Sequence, residues 1–204
     1  MANKTIINFP CKPGETVYIG TSVAFLNEVV KGTVESIGCR VVKEGDKTFF
    51  CFRIYVDHEY IYPGENNPRH TPATRYIFSD IEIFATREQA EESLANEDCK
   101  NRKSWFDYPE NGTFQMEIPY QIGDEIFICS KDLMNRPVPA TVKEMRCEIQ
   151  EKEGVLVFEC DITVDHEYIY RKEGDRSSFP MQVNRSVFSL DELFSSIDEI
   201  KKVS

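Results

Sequence analysis

The amino-acid sequence predicts an α+β fold in which β dominates, laid out twice along one chain. Three observations predict it. Val56-Asp57-His58-Glu59-Tyr60-Ile61-Tyr62 recurs unchanged 108 residues later as Val164-Asp165-His166-Glu167-Tyr168-Ile169-Tyr170. In each copy, runs rich in β-branched and aromatic residues alternate with short Gly-containing turns, the pattern of β-hairpins. Each copy then closes on a Ser/Thr-x-x-Gln/Glu box, whose hydroxyl and amide or carboxylate satisfy free amides at the start of a helix.

The match extends beyond the heptapeptide. Thr33-Val34 answers Thr141-Val142, Cys39 answers Cys147, Phe50 answers Phe158 and Ile54 answers Ile162, all at the same offset. Upstream, Pro10 and Gly14–Ile19 match Pro119 and Gly123–Ile128 one residue out of step. Downstream, Val187-Phe188-Ser189 is read against Ile83-Phe84-Ala85. Each copy spans roughly 85–90 residues, enough for a small domain with its own modest core. The expected organisation is a first repeat over residues 1–97, a linker over 98–112 and a second repeat over 113–204.

In copy one, Glu15–Gly20 is a short strand after Gly14. Val29–Val42 and Lys47–Tyr62 form a hairpin turned at Glu44-Gly45-Asp46. The segment 63–72, with three prolines, is a loop, and Arg75–Phe84 returns to strand character. Thr86-Arg87-Glu88-Gln89 opens a short helix with Ala90 and Leu94 facing inward. In copy two the strands are Glu125–Ser130, Ala140–Gln150, Val155–Tyr170 and Gln182–Phe188, with the turn at Lys152-Glu153-Gly154. Ser189-Leu190-Asp191-Glu192 is read as the second capping box, leading a helix with Leu193, Ile197 and Ile200 on one face. Between the copies, Asn96–Gly112 is polar yet holds Trp105, Phe106 and Tyr108. A plain spacer rarely carries three aromatics, so packing at the seam or contact with a partner is expected there.

A meander of short antiparallel strands of this length can curl into a small barrel. The opening Gly14-Glu15-Thr16-Val17-Tyr18-Ile19 followed by Lys31-Gly32-Thr33-Val34 resembles the first two strands of SH3-like barrels. Ile83-Phe84-Ala85-Thr86-Arg87-Glu88-Gln89-Ala90-Glu91 resembles the close of small uncharacterised SH3-like proteins of Firmicutes prophages and mobile elements. Copy two departs there, with Ser189-Leu190-Asp191-Glu192-Leu193-Phe194. The resemblance implies two tandem SH3-like small β-barrel domains, each closed by a short C-terminal helix. It carries over no catalytic residue.

Composition narrows the function. The formal net charge is −11. An acidic surface repels phosphate backbones, so direct nucleic-acid binding is not expected. No apolar run is long enough to span a membrane, and Met1-Ala2-Asn3-Lys4-Thr5 lacks a hydrophobic signal region. The expected compartment is therefore the cytoplasm, with the seven cysteines free in a reducing environment.

Asp57-His58-Glu59 and Asp165-His166-Glu167 are the residues most suited to metal binding or acid–base work. On a strand, neighbours point to opposite faces, so three consecutive ligand-type residues do not converge on one ion unless a bulge intervenes. His70 has no counterpart in copy two. Cys39 and Cys147 lie in strand-like runs and read as small buried hydrophobes. No nucleophile elbow, phosphate-binding loop or dinucleotide glycine motif is present. The expectation is a non-enzymatic acidic protein, without cofactor or metal, that docks a basic protein partner. The candidate contact residues are Asp57, His58, Glu59, Tyr60, Asp165, His166, Glu167, Tyr168 and Trp105. By the mobile-element resemblance it is a phage-type, anti-CRISPR-like inhibitor of a nucleic-acid-binding host protein. The alternative is a metal-dependent enzyme that uses the two Asp-His-Glu segments.

Overall fold

The computed structural model describes residues 4–20, 28–59, 76–95, 114–130, 136–166 and 186–203. The first repeat contains β1 (Thr5–Phe9), β2 (Thr16–Gly20), β3 (Val29–Glu44), β4 (Lys47–Asp57), β5 (Ile77–Phe78), β6 (Ile83–Phe84) and helix α1 (Arg87–Ala95). The second contains β7 (Phe114–Ile118), β8 (Glu125–Ile128), β9 (Val138–Lys152), β10 (Val155–Asp165), β11 (Val187–Ser189), β12 (Leu193–Phe194) and helix α2 (Ile197–Val203). The fold is α+β and mostly β.

The long alternating runs become two long hairpins. In β3, Ile37, Cys39 and Val41 are buried while Arg40 is exposed; in β9, Met145, Cys147 and Ile149 are buried while Arg146 and Glu148 are exposed. That period of two places one face on a core and leaves the other to solvent. Both hairpins turn on two residues, by different means. Gly45 alone has positive φ (61°) in the first, whereas Glu153 (54°) and Gly154 (78°) both do in the second. These are the φ patterns of type II′ and type I′ turns, the two that suit the twist of paired strands. Each hairpin also has a bulge at the equivalent place. Val34 faces Val56 and Ser36 faces Tyr55, leaving Glu35 unopposed; Val142 faces Val164 and Glu144 faces Thr163, leaving Lys143 unopposed. Without that extra residue, Val34 and Ile37 could not both point into the core.

Within each repeat the strand order is the same. It runs β6-β2-β3-β4-β5 in the first and β12-β8-β9-β10-β11 in the second. Among the described residues β5 and β6 do not pair, nor do β11 and β12, and no closed barrel is formed by them. The repeats instead join edge to edge. β3 pairs antiparallel with β9 over Ser36–Val41, making one ten-stranded sheet. β1 and β7 pair with each other as a separate two-stranded ribbon. Neither of those strands was expected from the sequence. The ribbon lies on the core side: Ile7, Phe9 and Ile118 are buried, and Phe9 packs edge-on to Phe52 of the large sheet with ring centres 5.8 Å apart. Tyr120 ties the ribbon down, its backbone oxygen accepting from Thr5 Oγ1 at 2.6 Å and its hydroxyl donating to the Leu193 carbonyl at 2.8 Å. The buried residues of both repeats form one connected core.

The end of each repeat differs from its sequence reading. The run Arg75–Phe84 is not one strand. Within its described part a 3-10 turn at Asp80–Glu82 separates β5 from β6. Ser189–Glu192 does not open the second helix. Its residues 190–192 form the equivalent 3-10 turn, and in both turns a glutamate reaches back to the serine amide, Glu82 to Ser79 at 3.0 Å and Glu192 to Ser189 at 3.1 Å. Ile77–Phe84 therefore matches Val187–Phe194, and Val187-Phe188-Ser189 answers Ile77-Phe78-Ser79 rather than Ile83-Phe84-Ala85. Leu193 is a strand residue as a result. The helices start after Thr86 and Ser196. Gln89 and Thr86 exchange the expected capping-box bonds at 3.1 and 3.3 Å, and the Glu199 amide donates to Ser196 Oγ at 3.4 Å. Ala90 and Ile200 face the body of the protein, Leu94 is half-buried and Ile197 is exposed.

Candidate functional site

The repeated motif sits at the end of β4 and of β10. Asp57 and Asp165 are exposed, Asp165 lying 3.7 Å from Lys143, and Glu59 is also exposed. His58 points the other way and is buried. Its ring packs 5.5 Å from Tyr76 and 5.9 Å from Phe78. His166 stands in the same relation to Phe188, the counterpart of Phe78, with ring centres 6.1 Å apart. Both phenylalanines are completely buried, so each histidine serves as part of the lid over an aromatic core residue. The bulges fall opposite the motif's approach, at Glu35 and Lys143, and leave the alternation at Asp57-His58-Glu59 intact. Among the described residues no three His, Cys, Asp or Glu side chains gather into a metal-binding set. Tyr60, Glu167, Tyr168 and Trp105 lie outside the described residues, as does the linker 98–112.

A second feature lies where the repeats meet, and the sequence did not single it out. The solvent face of β4-β3-β9-β10 holds an open hollow of about 470 Å³. Gly38 is near its centre, facing Arg53 on one side and Glu148 on the other. A Cβ on Gly38 would come no closer than 3.8 Å to its neighbours. The missing side chain is therefore not required by packing; it leaves space. Around it stand Arg40, Cys51, Arg53, Tyr55, Arg146, Glu148, Glu159 and Asp161.

The register sets like charges against each other twice. Arg40 faces Arg146 across the junction, and Glu148 faces Glu159 on the neighbouring strand. Such pairs are unfavourable on a sheet face. The arginine pair is relieved by Glu144, which accepts from Arg40 at 2.7 Å and from Arg146 at 2.6 Å. The Arg40 hydrogen bond chiefly, helped by Arg146, holds the Glu144 carboxyl below the usual carboxylate range despite its partial burial. Beside the acid pair, Lys152 lies 3.8 Å from Glu159. The lining of the hollow thus balances Arg40, Arg53 and Arg146 against Glu148, Glu159 and Asp161, with two of the carboxylates in register.

The opposite face of these strands is a row of thiols. Cys39 faces Cys147, and Cys147 faces Cys160 with its sulfur 3.0 Å away. All three are buried. Burial pushes the Cys39 thiol up, and the Cys160 contact together with burial pushes Cys147 up, which disfavours the reactive thiolate. Cys11 is pushed up to about 12, by burial first and by Glu15 second. Cys51, on the solvent face, is exposed. Comparison with protein-family models, curated proteins and solved structures finds no match.

Proposed function

We propose that this protein is a non-enzymatic binding protein that docks a basic protein partner across the open sheet face where its two repeats join. One observation carries the reading. Glu148 and Glu159 oppose each other at the edge of the Gly38 hollow, and a cationic side chain entering there would relieve their repulsion. Tyr55 lines the same hollow, and an aromatic ring there adds a contact for a basic surface. The net charge of −11 would steer a basic surface toward it.

The strand order β6-β2-β3-β4-β5, with a 3-10 turn before the last strand, supports reading each repeat as an SH3-like module whose edge is opened to meet its twin. Asp57 and Asp165 lie on the solvent face beyond the hollow and extend the acidic surface. His58 and His166 are structural in this reading. Competition with nucleic acid for a basic channel, in the manner of an anti-CRISPR protein acting in the cytoplasm, is the form of inhibition that such a surface fits.

The test uses a defined probe, a short oligo-lysine peptide, titrated while backbone amide shifts are followed by NMR. The expected shifts cluster at Gly38, Glu148, Glu159 and Tyr55, weaken as salt rises, and fall several-fold in E148Q/E159Q. Shifts confined to other faces, or tight binding to duplex DNA near physiological salt, would overturn it.

A further inference from the structure

The seam between the repeats has the geometry of a two-fold dimer. Cys39 faces Cys147, its own counterpart, and in the ribbon Ile7 faces Met116, again its own counterpart. A residue meets its equivalent only on a two-fold axis, so the seam is isologous: each repeat offers the same edge to the other.

We propose that the second repeat's edge is self-complementary and, once freed from the first repeat, pairs with the second repeat of another copy of this chain. On the core side, the buried residues of β9 within the seam are Met145, Cys147 and Ile149. Turned about the same axis, Cys147 meets Cys147 of the second copy and Met145 meets its Ile149, which is as apolar a row as the one β3 supplies with Val41, Cys39 and Ile37. On the solvent side the exchange improves the charges. Within one chain, Arg146 faces Arg40 and Glu148 faces Gly38. Between two second repeats, each Arg146 faces a Glu148, so two opposite-charge pairs replace one like-charge pair that needs Glu144 to bridge it. The first repeat lacks this property, because Gly38 and Arg40 would face each other there. In the intact chain the tether between α1 and β7 holds the first repeat at high effective concentration and masks the preference.

The test uses the whole protein with a protease site placed between Ala95 and Phe114. After cleavage in the native state, native mass spectrometry should find one species containing both halves. After partial denaturation and dilution back to native conditions, a homodimer of second halves should appear beside it. R146E turns both Arg–Glu contacts into Glu–Glu contacts and should lower that homodimer on the order of tenfold relative to the mixed pair. The swap R146E/E148R restores opposite charges and should bring the homodimer back. The mixed pair keeps an apolar seam in every variant and reports that the halves still fold. Halves that separate on cleavage, a second half that never homodimerises, or a homodimer indifferent to both charge variants would each overturn the proposal.

Discussion

Cys39 lies directly opposite Cys147 across the seam between the two repeats, and each is its counterpart in the duplicated sequence. The centre of the protein is therefore a junction between halves rather than the centre of either half. Ile37 and Ile149 face each other beside this pair, 0% and 1% exposed. Ile149→Ala should cost about 2–4 kcal/mol, from lost burial plus the cavity left behind. Because the core is shared, hydrogen exchange should show β3 and β9 amides losing protection together. Loss confined to the second repeat would mean that the halves are energetically separate.

Glu144 is the electrostatic tie across the seam, taking Arg40 from one repeat and Arg146 from its own. Its carboxyl is held below its ordinary range, so it is more acidic folded than unfolded. The stability it contributes is present above the ordinary carboxylate pKa and is lost as pH falls through the lowered folded value. E144Q should be less stable than the parent by about 1–2 kcal/mol at pH 7, and the two denaturation midpoints should converge in acid. A constant gap across pH would remove the charge from the explanation.

Thiol accessibility separates the two faces of the same strands. Cys51 is exposed, whereas Cys39 and Cys147 are buried and shifted away from the thiolate. At neutral pH a maleimide should modify Cys51 readily and reach Cys39 and Cys147 only as the protein opens. Mass mapping of the native protein checks this, and rapid labelling of Cys39 and Cys147 would contradict the core assignment.

These positions show how far the sequence could be read. The hairpins were legible because β3, β4, β9 and β10 are rich in β-branched and aromatic residues and meet at turn glycines. Thr86-Gln89 was legible because a capping box is local. Ser189-Glu192 misled for the same reason: Ser-x-x-Glu satisfies a 3-10 turn by the same back-bond from the glutamate, and only the partner strand decides which follows. β1 and β7 were invisible because Thr5–Phe9 and Phe114–Ile118 are five residues long and are stabilised by each other across the chain. The Gly38 hollow was missed because Gly38 meets Glu148, and Arg40 meets Arg146, only after two edges some hundred residues apart have paired. The shared motif drew attention to His58 and His166, whose rings the structure sets against Phe78 and Phe188.

The histidine assignment is testable by substitution. His58→Ala removes a buried ring beside Phe78 and Tyr76 and should destabilise by about 1–3 kcal/mol. His166→Ala, at a more exposed position, should cost less. Added zinc should leave the melting temperature of the parent unchanged. A metal-dependent rise abolished by either substitution would reinstate a ligand role.

Filling the hollow probes function with little cost to the fold. Gly38 has ordinary negative φ, unlike Gly14, Gly45, Gly123 and Gly154, and its Cβ position is open to 3.8 Å. Neither backbone strain nor a clash therefore opposes a side chain, and a strand residue with a Cβ is favoured over glycine. Gly38→Gln should leave stability within about 1 kcal/mol of the parent or raise it. Its side chain would occupy the space between Arg53 and Glu148, so the oligo-lysine peptide should lose affinity several-fold while the overall charge stays the same. That separation matters because a charge substitution weakens any attraction to a basic probe, wherever it binds, whereas Gly38→Gln alters only the shape of one hollow. A variant that is stable and binds the peptide as the parent does would place the contact elsewhere on the acidic surface.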